Sequence, residues 1–122
     1  MKKASQFIVL SLFGLFLSQT VSAQALQNFT LVNKTGVVIN ELHIAPSTME
    51  EWGEDILGVD VLDSDQQCDV SFHPKEDVCE WDLKVTDSEG NYLEWDNIDL
   101  CQYAVITLYW DAESGTGSAE FE

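Results

Sequence analysis

Two histidines, three cysteines and 22 acidic residues are the groups in this sequence with the richest chemistry. Nucleophilic catalysis needs a nucleophile with a base beside it. His43 stands inside a β-patterned run, His73 directly precedes Pro74, and neither has a serine or cysteine motif around it. No Gly-x-Ser-x-Gly run occurs, and two histidines thirty residues apart make no zinc-binding pattern. Glycoside hydrolysis uses paired carboxylates, but among 22 acids a pair carries no information. The chain reads as a non-enzyme with no catalytic residue to nominate.

Calcium is the sharper possibility, because it takes several carboxylate and carbonyl oxygens from a flexible loop. Glu50, Glu54, Asp55 and Asp60, with Glu51 among them, form one such cluster. A solvated acidic rim is the competing reading. Asp87-x-Glu89-x-Asn91 has a similar composition but fails as an EF-hand loop. Gly90 is at the wrong offset, and Ile98 stands where the bidentate glutamate belongs. That segment reads as a hairpin turn. The expectation is therefore no cofactor, with Ca²⁺ at the first cluster as the alternative. Of the four tryptophans, Trp81 and Trp95 fall at inward positions of strands and read as core. Trp52 and Trp110 are less constrained. With Leu57 they are the candidate contact residues for an unknown protein or glycan partner, since exposed aromatic rings stack on sugars.

These groups are carried on β-structure. Apolar residues recur with period two in short runs separated by turn signals. Phe29–Val32 is the first strand, Asn33-Lys34-Thr35-Gly36 a turn, and Val37–Ile44 the second strand, together an N-terminal hairpin. Ser47 with Glu50, or Thr48 with Glu51, fits a capping box, and Gly53 fits a C-cap, so one short helix is expected here. Residues 54–63 read as an ordered loop leading to a short edge strand. Gln67–Phe72 alternates next. Cys79–Thr86 is the clearest strand, with Cys79, Trp81, Leu83 and Val85 on one face. After the Asp87–Asn91 turn, Leu93 and Trp95 point inward, whereas Ile98 and Leu100 have the opposite parity. A bulge near Asp96-Asn97 reconciles them. Gln102–Trp110 is the last strand. The expected architecture is all-β: a small antiparallel β-sandwich of six or seven strands with one short helix, a small barrel being the alternative.

Lys2 and Lys3, the apolar run Phe7–Leu17 and the small residues Val21-Ser22-Ala23 have the layout of a secretory signal peptide. The apolar run is shorter than the roughly 20 residues of a membrane span, so no stable span is expected after cleavage. Ala23-Gln24-Ala25 is a second possible site. The division is then residues 1–23 as leader, 24–112 as β-sandwich and 113–122 as an acidic flexible tail, with a secreted or periplasmic destination. Losing the leader's two lysines takes the net charge from −17 to −19, with Lys34, Lys75 and Lys84 facing all 22 acids. Such a field repels nucleic acid and anionic membranes. The chain has no arginine, so the usual bidentate clamp for phosphate or carboxylate is missing.

An exported chain meets oxidising conditions, where cysteines pair. A hairpin folded about Gly90 brings positions 79 and 101 opposite each other, which selects a Cys79–Cys101 disulfide closing the open end of that hairpin. Cys68 alternates with Val70 and Phe72 and reads as a small buried hydrophobe. An intermolecular disulfide or a reactive thiol is its alternative.

Several short patterns occur in order along nearly the whole exported chain. They are Asn33-x-Thr35-Gly36, Ile39, Ile44, Pro46-Ser47, Trp52-Gly53-x-Asp55-x-Leu57-Gly58, Cys79-x-Trp81-Asp82-Leu83-x-Val85 and Asp99-Leu100-Cys101. Together they resemble a family of small exported bacterial β-rich modules without an established activity, some members of which carry an argininosuccinate lyase label. The resemblance implies a compact β domain with the hairpin disulfide and supplies no catalytic residues. The lyase label has no support in the residues, because that class is large and helical and handles a multi-carboxylate substrate. This chain is short, β-patterned and free of arginine.

Overall fold

The computed structural model describes residues 24–122, and the leader expected over 1–23 lies outside them. The period-two runs form seven strands in two sheets. β1 (Phe29–Lys34), β3 (Gln67–Val70), β6 (Val105–Asp111) and β7 (Thr116–Phe121) make a four-stranded sheet in the order β3-β1-β6-β7. β2 (Glu41–Pro46), β4 (Glu80–Thr86) and β5 (Tyr92–Asp99) make a three-stranded sheet in the order β2-β4-β5. The sheets pack as a sandwich and do not close into a barrel.

One core joins them. Phe29, Leu31, Ile106 and Leu108 of the first sheet meet Leu42, Trp81, Leu83, Val85 and Ile98 of the second. β4 shows why: Trp81, Leu83 and Val85 are buried while Asp82, Lys84 and Thr86 between them are only partly covered. Each such aliphatic side chain, fully buried, contributes about 1.5–3 kcal/mol. The bulge expected near Asp96-Asn97 is present. The β4–β5 register steps from Trp81↔Ile98 to Leu83↔Trp95, and Asn97 takes a positive φ of 55°. Asp82 secures it, its Oδ1 accepting from the Asn97 amide at 2.9 Å and from Ser47 Oγ at 2.8 Å.

Five expectations need correction. Asn33–Gly36 does not turn a hairpin: it is a corner that carries the chain from β1 in one sheet to β2 in the other. The Asn33 side-chain amide takes the Val37 carbonyl, at 2.9 Å, that a hairpin ladder would use. The second strand begins at Glu41 rather than Val37, with Ile39 making one bridge to Leu62. In place of the short helix, residues 47–53 make turns and bends. The run is too short to repay helix nucleation, and the Gly53 amide bonds Ile44 O at 3.3 Å instead of a carbonyl four residues back. The sandwich is not wholly antiparallel. β6 runs parallel to β1, from Thr30↔Val105 to Lys34↔Tyr109, because the chain crosses from β5 into the other sheet rather than turning back beside β1.

Last, residues 113–122 are not a loose tail. β7 pairs with β6, and Glu122 O accepts from the amides of Ala104 and Val105 at 2.7 and 3.0 Å. Its small residues let it lie close over β5: a Cβ on Gly117 would come within 2.6 Å of Leu93 Cδ1.

Candidate functional site

The segment from Ser47 to Val61 runs along the free edge of β2. Besides the Gly53 bond to Ile44, the Ile56 amide donates to Leu42 O at 2.8 Å. Asp55 Oδ1 accepts from the amides of Leu42 and Leu57 at 2.9 and 3.0 Å. A Cβ on Gly53 would sit 3.0 Å from the Ile44 carbonyl, so glycine permits this close approach. The segment thereby occupies backbone groups that an uncovered edge strand would offer to other chains. Lys84 adds a tie from the neighbouring strand, its Nζ lying 5.8 Å from the Trp52 ring centroid and 4.6 Å from that of Tyr92.

This placement changes the meaning of several nominated residues. Trp52 is half-buried beside Lys84, and Leu57 is half-buried against the core. Both anchor the segment rather than present it. The side chains it exposes are Met49, Ile56, Val59 and Val61, Val59 completely. The four acids nominated for Ca²⁺ are not brought together. Among the described residues, the group of three or more ligand-type side chains whose donor atoms lie within 4.8 Å of one another is Cys79, Asp99 and Cys101. That group is a disulfide with the carboxylate beside it. Glu50, Glu54 and Asp60 are exposed, and Asp55 directs one oxygen back to β2.

His43 is fully engaged. Nδ1 lies 2.8 Å from Gly53 O and Nε2 lies 3.0 Å from Glu41 Oε1. Burial disfavours its charge, but the hydrogen bonds to Glu41 and Gly53 and the charges of Glu41 and Asp55 prevail, raising the pKa above the usual imidazole value. Only the protonated ring donates to both acceptors. A pKa raised by folding means stability fully present below the unfolded value, about 6.5, and lost as pH rises through the folded one. Replacement by Asn is therefore expected to cost more stability near about pH 5.5 than near about pH 8.5. Urea melts of both proteins across that range measure it, and a pH-independent difference would refute a protonated clasp.

The Cys79 and Cys101 sulfurs are bonded, with Cα atoms 5.2 Å apart, at the end of the β4–β5 hairpin. Cys68 is free and half-buried in the edge strand β3. Burial, and then the neighbouring Asp69, push its thiol pKa up, which makes it a poor nucleophile.

A concave feature lies at one end of the sandwich. The corner after β1, the β4–β5 hairpin and the β6–β7 hairpin enclose an open cleft of about 630 Å³. Val37, Val38, Tyr92 and Trp110 line it and remain 45%, 40%, 56% and 38% exposed. Solvated apolar side chains gathered around one concavity make this cleft the candidate contact surface. Asp87 stands at its polar side. Its Oδ1 accepts from the amides of Glu89 and Asn91, both at 2.9 Å, and its Oδ2 from Asn91 Nδ2 at 3.1 Å. The bond from the Asn91 side chain, helped by these amides, lowers its pKa. Of the nominated contact residues, Trp110 is the one standing in this cleft. Val37, Val38, Tyr92 and Asp87 were missed. The consecutive pair Val37-Val38 was a usable signal, because alternation points at most one of two neighbours inward.

No protein-family model matches the chain, and no curated protein matches it at a significant level. A solved structure is similar to it: the NMR structure of a protein from Eubacterium rectale. The two are 14% identical with a TM-score of 0.55, over 82% of this chain and 89% of that one. At that identity the likeness shows a shared fold and nothing about activity.

Proposed function

We propose that this chain is an exported, non-enzymatic interaction module that receives a partner in the cleft bounded by Val37, Val38, Tyr92 and Trp110. The observation carrying this reading is the convergence of four exposed apolar residues, from the corner after β1, the start of β5 and the end of β6, onto one concavity. Export is supported by the leader-like first 23 residues and by the Cys79–Cys101 bond, which fits an oxidising compartment. The non-enzymatic reading is supported by the histidine and the free thiol. Both ring nitrogens of His43 are held by acceptors away from the cleft, and the Cys68 thiol is pushed toward its inert form. The sequence pattern resembling small exported β modules agrees with this role.

The four tryptophan indole N–H groups give an NMR readout that separates places on the surface. Titration with candidate peptides and oligosaccharides is expected to shift the Trp110 signal and leave that of buried Trp81 in place. Shifts confined to Trp52 would move the binding surface to the outer side of β4. Binding by oligosaccharides alone at Trp110 would make the module a carbohydrate binder.

A further inference from the structure

We infer that the cleft takes a basic segment of a partner polypeptide, with a lysine or arginine stem lying on Val37, Val38 and Trp110 and its charged end meeting Asp87. This rests on the reading of the cleft as the partner site and names what that site recognises.

Three observations point to a cation. The Asp87 carboxylate is held in place by three hydrogen bonds, yet no basic group lies within 4.0 Å of it among the described residues. A carboxylate oxygen accepts more than one hydrogen bond, so Asp87 retains capacity for a further donor. Second, the aromatic walls suit a cation. The Tyr92 ring already has the Lys84 ammonium 4.6 Å from its centroid, so it is partnered within the chain. The ring of Trp110 has no such partner among the described residues, and indole is the strongest of the aromatic cation acceptors. Third, the surrounding field is strongly negative, with 22 acids against three lysines beyond the leader. It accelerates the approach of basic partners and repels anionic ones.

The same inventory disfavours a second copy of this chain as the occupant. Lys34 is engaged by Asp65 at 3.1 Å, and Lys84 lies between Trp52 and Tyr92. That leaves Lys75 to meet a copy carrying the same negative charge. A wholly apolar partner would leave Asp87 without a counter-charge. Lysine and arginine meet both demands, because their long stems lie on apolar surface while their heads stay polar.

The test uses two labelled hexapeptides, acetyl-Gly-Val-Lys-Val-Lys-Gly-amide and the same sequence with norleucine for both lysines. Affinity is read by fluorescence anisotropy and location by the Trp110 indole signal. The lysine peptide is expected to bind about tenfold more tightly at low salt. Asp87→Asn should remove most of that preference, and Trp110→Ala should weaken both peptides. Asparagine keeps an acceptor for the Glu89 and Asn91 amides, and an unchanged melting temperature would show that the turn persists. Equal binding of the two peptides at Trp110, indifferent to Asp87→Asn, would overturn the cation while leaving the cleft as the partner site. Lysine-peptide binding that ignores both substitutions would reveal diffuse attraction to the acidic surface and overturn the inference. If neither peptide moves the Trp110 signal at millimolar concentration, the cleft reading and the inference fail together.

Discussion

Replacing Asn33 by Ala is expected to destabilise the protein by about 3–5 kcal/mol, a large part of the roughly 5–15 kcal/mol that holds a domain together. Asn33 is fully buried and organises the corner between the two sheets. Its Nδ2 donates to Val37 O at 2.9 Å and to Leu62 O at 3.0 Å. Its Oδ1 accepts from the Thr35 amide at 3.0 Å and from Thr35 Oγ1 at 2.6 Å. Alanine would leave the Thr35 amide without its acceptor and take one of two donors from each carbonyl, Val37 O keeping Thr35 Oγ1 at 3.1 Å and Leu62 O keeping the Ile39 amide at 2.9 Å. The unmet buried amide costs about 1–3 kcal/mol, and each lost donor bond about 0.5–1.5 kcal/mol. The melting temperature should fall by about 15 °C or more. Thr35→Val is the calibrating variant. It removes one hydroxyl but leaves both Asn33 donor bonds, and about 1–2 kcal/mol is expected. An Asn33→Ala protein melting within a degree or two of wild type would show that the corner is held by packing alone. The burial of Asn33 also means that Asn33-Lys34-Thr35, though it has the form of a glycosylation sequon, cannot carry a glycan in the folded state.

Removing the disulfide is expected to cost about 3 kcal/mol, from the loop-closure entropy of two cysteines separated by 22 positions. The Cys79→Ala/Cys101→Ala double variant should melt roughly 12–24 °C below the oxidised protein. Reductant should bring the wild type to a similar point. The bridge lies where β5 ends and the chain crosses to β6, beside the bond from the Leu100 amide to Cys79 O at 2.8 Å. Its loss therefore loosens the one crossing that delivers β6 next to β1. Cys68→Ser, in the half-buried edge strand, should change stability much less. A double variant with less than about 1 kcal/mol lost would mean that the unfolded chain already holds this hairpin together, so that the cross-link removes little freedom.

Much of this architecture could be read from residue order. The alternation of Trp81, Leu83 and Val85 with Asp82, Lys84 and Thr86 announced β4, and the parity change between Trp95 and Ile98 announced the bulge that Asn97 and Asp82 form. The pairing of Cys79 with Cys101 was expected from a hairpin folded about Gly90; the observed register centres on Glu89 and steps by one residue at the bulge, and the two cysteines still meet with Cα atoms 5.2 Å apart. β7 was hidden by composition. Its glycine, serine and acids suggested a frayed end, but small side chains are what a strand lying over Leu93 requires. The capping pattern at residues 47–51 was a true local preference that lost to tertiary bonds with β2.

The site was less legible than the fold. Trp110 was visible as an unassigned aromatic, and Val37-Val38 as an apolar pair that alternation could not bury. Nothing in sequence order joins residues 37, 87, 92 and 110, which lie in two connections and near the ends of two strands. The physical reason is the same for the cleft and for the sheets. Side-chain period records which face of a strand leaves water, and that is local information. The N–H and C=O groups that pair strands are alike at almost every residue, so they do not specify their own neighbours. The sequence by itself determined the strands, their buried faces, the bulge, the cross-link and the acidic surface. Closure of one core around Leu31, Leu42, Leu83, Ile106 and Leu108 decided which strands lie side by side, that β6 runs parallel to β1, that residues 47–61 cover the edge of β2, and that three distant turns meet around a cleft.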